Sequence, residues 1–249
     1  MNHEQYDALA DVYDSLMYDV DYGKWAEYLC SLLETSGVVP NGTVLEYACG
    51  TGNITLPLFR SGFDVTALDI SEEMLEIAQQ KVRRHAGDVR FVCADMSEFR
   101  LNKPVQAAIC ACDGVNYITE EEKLDLFFKS VFSNLVPGGV FLFDISSAYK
   151  IKNILGNEFF YDDSDEVTYF WQNVYDAQKE AVRMEITLFM AEGDGYKRFD
   201  ETHVQKAWTE EVIIKALGNA GFGEAKAFTF MTQDAPRTEE ERIQFLAVR

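Results

Sequence analysis

The sequence predicts a doubly wound α/β protein: a mostly parallel, seven-stranded sheet with an antiparallel last strand, preceded by N-terminal helices and interrupted by a small antiparallel sheet. Three observations lead there. Near-continuous apolar runs alternate with amphipathic helical patterns, as strands covered on both faces require. Five of these runs close on an acidic residue, Glu46, Asp69, Asp95, Asp113 or Asp144. Between about residues 148 and 208 the helical patterns disappear and strand alternation takes over.

The segment to Ser36 reads as two helices. Tyr6, Leu9, Ala10, Tyr13, Leu16 and Met17 recur at helical spacing, and Asp21 caps a second helix through Trp25, Tyr28, Leu29 and Leu32. After the turn Pro40-Asn41-Gly42, Thr43 to Tyr47 forms the first strand and Gly52 to Arg60 a helix that Gly62 ends. The second strand leads to Asp69. Ser71, with Glu72 and Glu73 behind it, caps the helix that runs to Arg84. Val89 to Cys93 and Ala107 to Ala111 are the third and fourth strands, and Glu120 to Leu135 is the next helix. Pro137-Gly138-Gly139 turns the chain into a fifth strand, Val140 to Asp144.

Val167 to Tyr175, Arg183 to Ala191 and Lys197 to Lys206 alternate with strand period, separated by the turns Asp176-Ala177-Gln178 and Gly193-Asp194-Gly195. Thr209 then caps a helix ended by Gly218 to Gly221. Two strands follow, Glu224 to Phe230 and Ile243 to Val248, with no helix between them, so they pair antiparallel. The expected organisation is a helical lid over residues 1–38, a core over 39–147 and 208–249, and an inserted sheet over 148–207 that covers the substrate side.

Acids outnumber bases 42 to 22 and the net charge is −20. This argues against a nucleic-acid partner, whose phosphates need clustered Lys and Arg. The inserted region from Gly156 to Glu201 holds twelve acids against four bases. No run approaches the ~20 apolar residues of a membrane span, and the N-terminal residues lack a signal core, so the expected compartment is the cytoplasm. The five cysteines, Cys30, Cys49, Cys93, Cys110 and Cys112, are irregularly spaced and read as buried apolar residues of a reducing compartment. Cys110 and Cys112 form C-x-C without a second pair, so no metal site is expected.

The chemistry concentrates at Val44-Leu45-Glu46-Tyr47-Ala48-Cys49-Gly50-Thr51-Gly52-Asn53: a buried strand ending in a carboxylate, a glycine turn, a helix start. Thr55 stands where a dinucleotide-binding turn has its third glycine, and Glu46 would repel a pyrophosphate. A cofactor with an ammonium and a sulfonium suits that carboxylate, as S-adenosylmethionine has. Asp69 is placed for two ribose hydroxyls and Asp95 for an adenine amino group, with Ile70, Met74 and Met96 around the ring.

These stretches, with Ala67 to Leu75, Ala94-Asp95-Met96 and Leu135 to Gly139, resemble the motifs of class I S-adenosylmethionine-dependent methyltransferases. The resemblance covers about residues 40–147 and 208–249; Tyr47 departs from it where Leu is common. It implies a Rossmann-like methyltransferase sheet and cofactor contacts from Glu46, Ala48, Gly50, Gly52, Asp69, Ile70, Met74, Asp95, Met96, Cys112 and Asp113. The leader, Tyr6 to Asp14 and Asp21 to Trp25, resembles that of a bacterial subgroup containing small-molecule methyltransferases. It implies that Tyr6, Tyr13 and Trp25 close over the cofactor, where aromatic faces also suit a sulfonium.

The expected reaction is in-line methyl transfer to a small-molecule acceptor, an amine among the candidates, by a monomer or homodimer. His203 on the inserted sheet is the candidate general base, and Tyr117 after the fourth strand is the candidate orienting group. The competing readings are an oxidoreductase on a similar sheet, a non-catalytic cofactor-binding or regulatory protein, and an RNA methyltransferase.

Overall fold

The computed structural model describes residues 13–14, 16–85, 87–164, 167–193 and 195–249. After the helical residues at Tyr13 and Asp14 comes helix α1 (Tyr22–Thr35), whose cap is Asp21 accepting from the Lys24 N–H. The core then alternates: β1 (Thr43–Tyr47), α2 (Thr55–Arg60), β2 (Asp64–Asp69), α3 (Glu72–Arg84), β3 (Arg90–Cys93), β4 (Val105–Cys110), α4 (Glu121–Asn134) and β5 (Leu135–Ser146). A π-helical turn, Lys150–Leu155, leads into β6 (Phe159–Asp163), β7 (Val167–Asp176), β8 (Ala181–Glu192) and β9 (Gly195–Lys206). Helix α5 (Glu210–Ala220), β10 (Glu224–Thr229) and β11 (Arg242–Val248) complete the chain.

The main sheet has seven strands in the order β10-β11-β5-β4-β1-β2-β3. Strands β1 to β5 run parallel, while β11 is antiparallel to both β5 and β10. Chain order reverses between β1 and β4, where open α/β sheets leave a crevice beyond the strand ends. Alternate residues feed two cores. Leu45, Phe141, Phe143 and Phe245 pack against α4 and α5 through Phe127, Phe128, Ile213 and Leu217. Val44, Val65, Ile109 and Leu142 pack against α1 and α2 through Leu29, Leu33 and Leu58. Tyr47 sits fully buried in the first core, edge-on to Phe127, and its hydroxyl accepts from Asn134 Nδ2 at 2.9 Å. That partner makes a tyrosine acceptable where an aliphatic residue is usual.

Three differences from the sequence reading go beyond a shift of one or two residues. Helix α2 begins at Thr55 rather than Gly52, because residues 51–54 are spent on the turn. Strand β5 begins at Leu135, paired with Val105, so the Pro137-Gly138-Gly139 segment lies inside it at a break in register. The second sheet has four strands, β6-β7-β8-β9, instead of three. Strand β6 is an exposed edge whose Phe159, Tyr161, Asp162 and Asp163 face water, so it carries no burial period to read.

The two sheets are joined by Asn116 in the 3-10 turn Gly114–Tyr117. Its Nδ2 donates to the Ser146 and Lys206 carbonyls, both at 2.9 Å, and its Oδ1 accepts from Ser146 N–H. The end of β9 is thereby held beside the end of β5. Among the described residues, no helix is long and apolar enough to cross a membrane.

Candidate functional site

Beyond the carboxyl ends of the parallel strands lies a cavity of about 520 Å³. The turn after β1 forms its floor. Ala48, Gly50 and Gly52 all have positive φ, at 50°, 53° and 78°, which bends the chain sharply away from the strand. A side chain on Gly50 would point into open space, so its glycine keeps the cavity clear. Gly52 serves differently. A Cβ there would come within 3.1 Å of Ala78 Cβ on α3, and Gly52 is not in the cavity wall.

Glu46, at the end of β1, is 2% exposed and its Oε2 has no hydrogen-bond partner. Burial pushes its carboxyl up to about 8; the Thr55 hydroxyl opposes this and the Asp69 charge adds to it. Asp69, at the end of β2, accepts from Gly50 N–H at 2.8 Å and from Ser71 N–H at 3.0 Å. Burial raises its carboxyl and those N–H groups work against the rise. Asp69 is thus a rigid acceptor with lone pairs left over.

Ile70, Met74, Ala94 and Met96 form an apolar wall next to Asp69. Asp95 does not join it. Its Oδ1 accepts from the Ser97 N–H and hydroxyl at 2.8 and 2.7 Å, and it borders a smaller neighbouring cavity of about 250 Å³ with Tyr117. The alternation along a short segment turns Met96 inward and Asp95 aside.

Tyr13, Tyr22 and Trp25 close the cavity from the N-terminal side. Burial holds the Tyr13 hydroxyl well above its ordinary pKa, so it is neutral. Tyr6 lies outside the described residues. The leader is pinned by Asp14. Its Oδ1 accepts from Thr51 Oγ1 at 2.7 Å and Asn53 Nδ2 at 2.8 Å, and its Oδ2 lies 2.7 Å from Lys81 Nζ.

After β4, Cys112 and Asp113 take consecutive left-handed conformations, φ 60° and 51°. Asp144 at the end of β5 holds them there, accepting from Cys112 N–H at 2.8 Å and Asp113 N–H at 3.0 Å. Arg242, the first residue of β11, pairs with Asp144 and, at 2.6 Å, with Asp113. Burial opposes charge on both partners, yet the Arg242 charge holds Asp113 below the usual carboxylate range. The guanidinium also stacks 5.0 Å from the Trp25 ring. Arg242, Asp14 and Lys81 escaped sequence reasoning. For Arg242 a signal existed: an antiparallel last strand starts where the parallel strands end.

The inserted sheet supplies the far wall: Tyr169, Trp171, Met184, Ile186, His203 and Gln205. His203 is 1% exposed, its Nε2 is 3.0 Å from Glu201 Oε2, and its ring is edge-on to Tyr117 at 6.0 Å. Both Tyr117 and His203 therefore line the same cavity as Glu46 and Asp69. Among the described residues no cluster could hold a metal, and all five cysteines are free.

Three comparisons fit this arrangement. Residues 44–139 match a methyltransferase domain model. The structure of an S-adenosylmethionine-dependent methyltransferase from Clostridium acetobutylicum ATCC 824 is 36% identical, covers 98% of both chains and superposes with a TM-score of 0.86. The YqeM protein of Bacillus subtilis (strain 168) is 34% identical over 243 residues, 97% of this chain and 96% of that one. More distantly, the dTDP-4-amino-2,3,4,6-tetradeoxy-D-glucose N,N-dimethyltransferase of Saccharopolyspora spinosa is 27% identical over 85% of this chain and 84% of its own. The residues fit the cofactor of such enzymes: a buried carboxylate oxygen without a hydrogen-bond partner at Glu46 suits its cationic amino acid end, and Gly50 leaves the backbone open beside it. With this fold, this floor and relatives matched along nearly their whole length, the chain belongs to the S-adenosylmethionine-dependent methyltransferases.

Proposed function

We propose that the protein methylates an amino group on a small-molecule acceptor held between the cofactor residues and the inserted sheet. The observation that carries this reading is that Glu46 and Asp69 line one continuous cavity with His203 and Tyr117. S-adenosylmethionine, when bound, supplies a methyl group already activated by its positive sulfur.

Each residue has a role in this reading. Glu46 receives the ammonium of the cofactor's amino acid end, Asp69 its ribose hydroxyls, and Ile70, Met74 and Met96 its adenine. Ala48 and Gly50 bring backbone close, with Cys112 and Asp113 on the opposite side. Tyr13 and Trp25 exclude water from above. Asp95 completes the adenine side from the neighbouring cavity.

An amine attacks only as the neutral base, so a proton must leave. His203 takes that proton, and the Glu201 carboxylate orients the imidazole and stabilises its charged form. Tyr117 fixes the acceptor by a hydrogen bond. Tyr13, Trp25 and the inserted sheet would exclude water and align the neutral acceptor nitrogen with the methyl group that the bound cofactor would supply. The amine preference is supported by the Saccharopolyspora spinosa relative, whose name specifies N,N-dimethylation of an amino sugar.

A transfer assay with methyl-labelled cofactor against matched sets of amines, alcohols and carboxylic acids tests the reading. Label is expected in amines. Label confined to oxygen or carbon acceptors would refute it.

A further inference from the structure

The wall of the acceptor half holds an ammonium that no hydrogen bond or close ion pair engages among the described residues. Lys150, the first residue of the π-helical turn after β5, lines the cavity beside Ser146, Leu155 and Trp171. Its backbone N–H donates to Ser147 Oγ at 3.0 Å, which anchors the turn. Among the described residues, its ammonium makes no hydrogen bond or ion pair.

The neighbouring acids bond to other groups, and Lys150 and Asp113 act on each other only through space. Asp113 is taken by Arg242 at 2.6 Å and by Gln205 Nε2 at 2.7 Å. Asp144 is taken by Arg242 and by the Cys112 and Asp113 N–H groups. Glu241 is exposed. Burial and the Arg242 charge depress the Lys150 pKa, and Asp113, Glu241 and Asp144 offset this only in part. Arg242, the other permanent cation of the wall, already has two carboxylates.

Size and polarity narrow what could meet that ammonium. A single drug-sized ligand takes ~300–1,000 Å³. Here about 520 Å³ serves cofactor and acceptor together, so the acceptor is compact. Its surroundings on the inserted sheet, Tyr169, Trp171, Met184 and Ile186, are mostly apolar. The inserted region, with twelve acids to four bases, carries a net negative charge that disfavours an extended polyanion.

We propose that Lys150 is a specificity-determining residue that binds one carboxylate or phosphate on a compact acceptor with an apolar body. The inference rests on the far half of the cavity being the acceptor chamber. A charge-assisted hydrogen bond then replaces the water that the ammonium loses on burial.

The test is binding, measured by calorimetry on protein loaded with S-adenosylhomocysteine. The probes are 3-phenylpropanoate, phenyl phosphate and the uncharged 3-phenylpropanamide, against the wild type and Lys150→Met. In the wild type at least one anion should bind about tenfold more tightly than the amide, as one charge-assisted hydrogen bond allows. Lys150→Met should lose that preference while the protein stays folded and still binds S-adenosylhomocysteine. The tighter anion identifies the group as carboxylate or phosphate. Equal binding of anions and amide, no anion binding at millimolar probe, or a preference that survives Lys150→Met would overturn the assignment. No methyl transfer is needed, so an enzyme that proves to methylate hydroxyls still shows the anion preference. Amine methylation without it overturns Lys150 alone.

Discussion

Arg242 Nη2 lies 2.6 Å from Asp113 Oδ1, joining the first residue of the last strand to a left-handed loop 129 positions earlier. The same guanidinium reaches Asp144, which holds that loop by two backbone N–H groups. Breaking this set leaves two buried carboxylates without the cation that bonds to them directly. Arg242→Met should cost about 3 kcal/mol or more, a fall of roughly 6–12 °C in Tm. Calorimetric unfolding checks it, and a Tm within a degree of the wild type would show that the pair is not structurally required.

Glu46 predicts a pH dependence. Its folded-state carboxyl sits at about 8 against an ordinary 4.5, so its stabilising contribution is whole below 4.5 and is lost as pH rises through about 8. Glu46→Gln should therefore flatten the decline in Tm across that window and raise the unliganded Tm by ~2–4 °C or more at pH 8. The bound cofactor's positive charge favours the ionised carboxylate. Binding at pH 7 should thus release protons, visible as a buffer-dependent enthalpy, and Glu46→Gln should abolish that release and weaken binding about tenfold or more.

The two turn glycines should separate binding from folding. A Gly50→Ala side chain points into open cavity, so the protein stays folded, at a left-handed strain of ~1–2 kcal/mol, while cofactor affinity falls sharply. Gly52→Ala adds a contact 3.1 Å from Ala78 Cβ to the same strain and should lose more stability. Thermal melts with and without S-adenosylhomocysteine distinguish the two.

His203 should matter to turnover and not to cofactor binding. His203→Gln should lower methyl transfer to an amine by ~10²–10⁴-fold with cofactor affinity retained. Glu201→Gln, acting through the imidazole, should lower it less. Single-turnover kinetics with saturating cofactor measure both, and an unchanged rate in His203→Gln would remove it from the reaction.

The local part of the site was legible. Glu46, Asp69 and the glycine turn follow from one strand, one turn and one helix start, because positive φ at Gly50 and Gly52 is a demand that neighbours in sequence impose. Yet the same local pattern did not tell the two glycines apart: one clears the cavity and the other clears Ala78 on α3. Nor did it show that the Ser97 turn occupies one oxygen of Asp95. Strand β6 stayed hidden because an exposed edge strand has no buried face to impose a period. Asp14 stood in the leader, but its bond to Thr51 spans 37 residues and depends on how the leader docks.

Apolar periodicity and turn chemistry were enough for the strand–helix alternation and the acids at its strand ends, since each depends on a few neighbouring residues, and the resemblance of those stretches to family motifs supplied the cofactor class. Folding alone decided which side chains meet. The antiparallel strand β11 carried Arg242 to Asp113 and Asp144, and β9 placed His203 in the wall of the same cavity as Glu46. The turn after β5 left Lys150 in the cavity wall with no hydrogen bond or close ion pair among the described residues. Those partners lie from tens to more than a hundred residues apart, and charge pairing acts through distance in space, which register and packing set and sequence spacing does not.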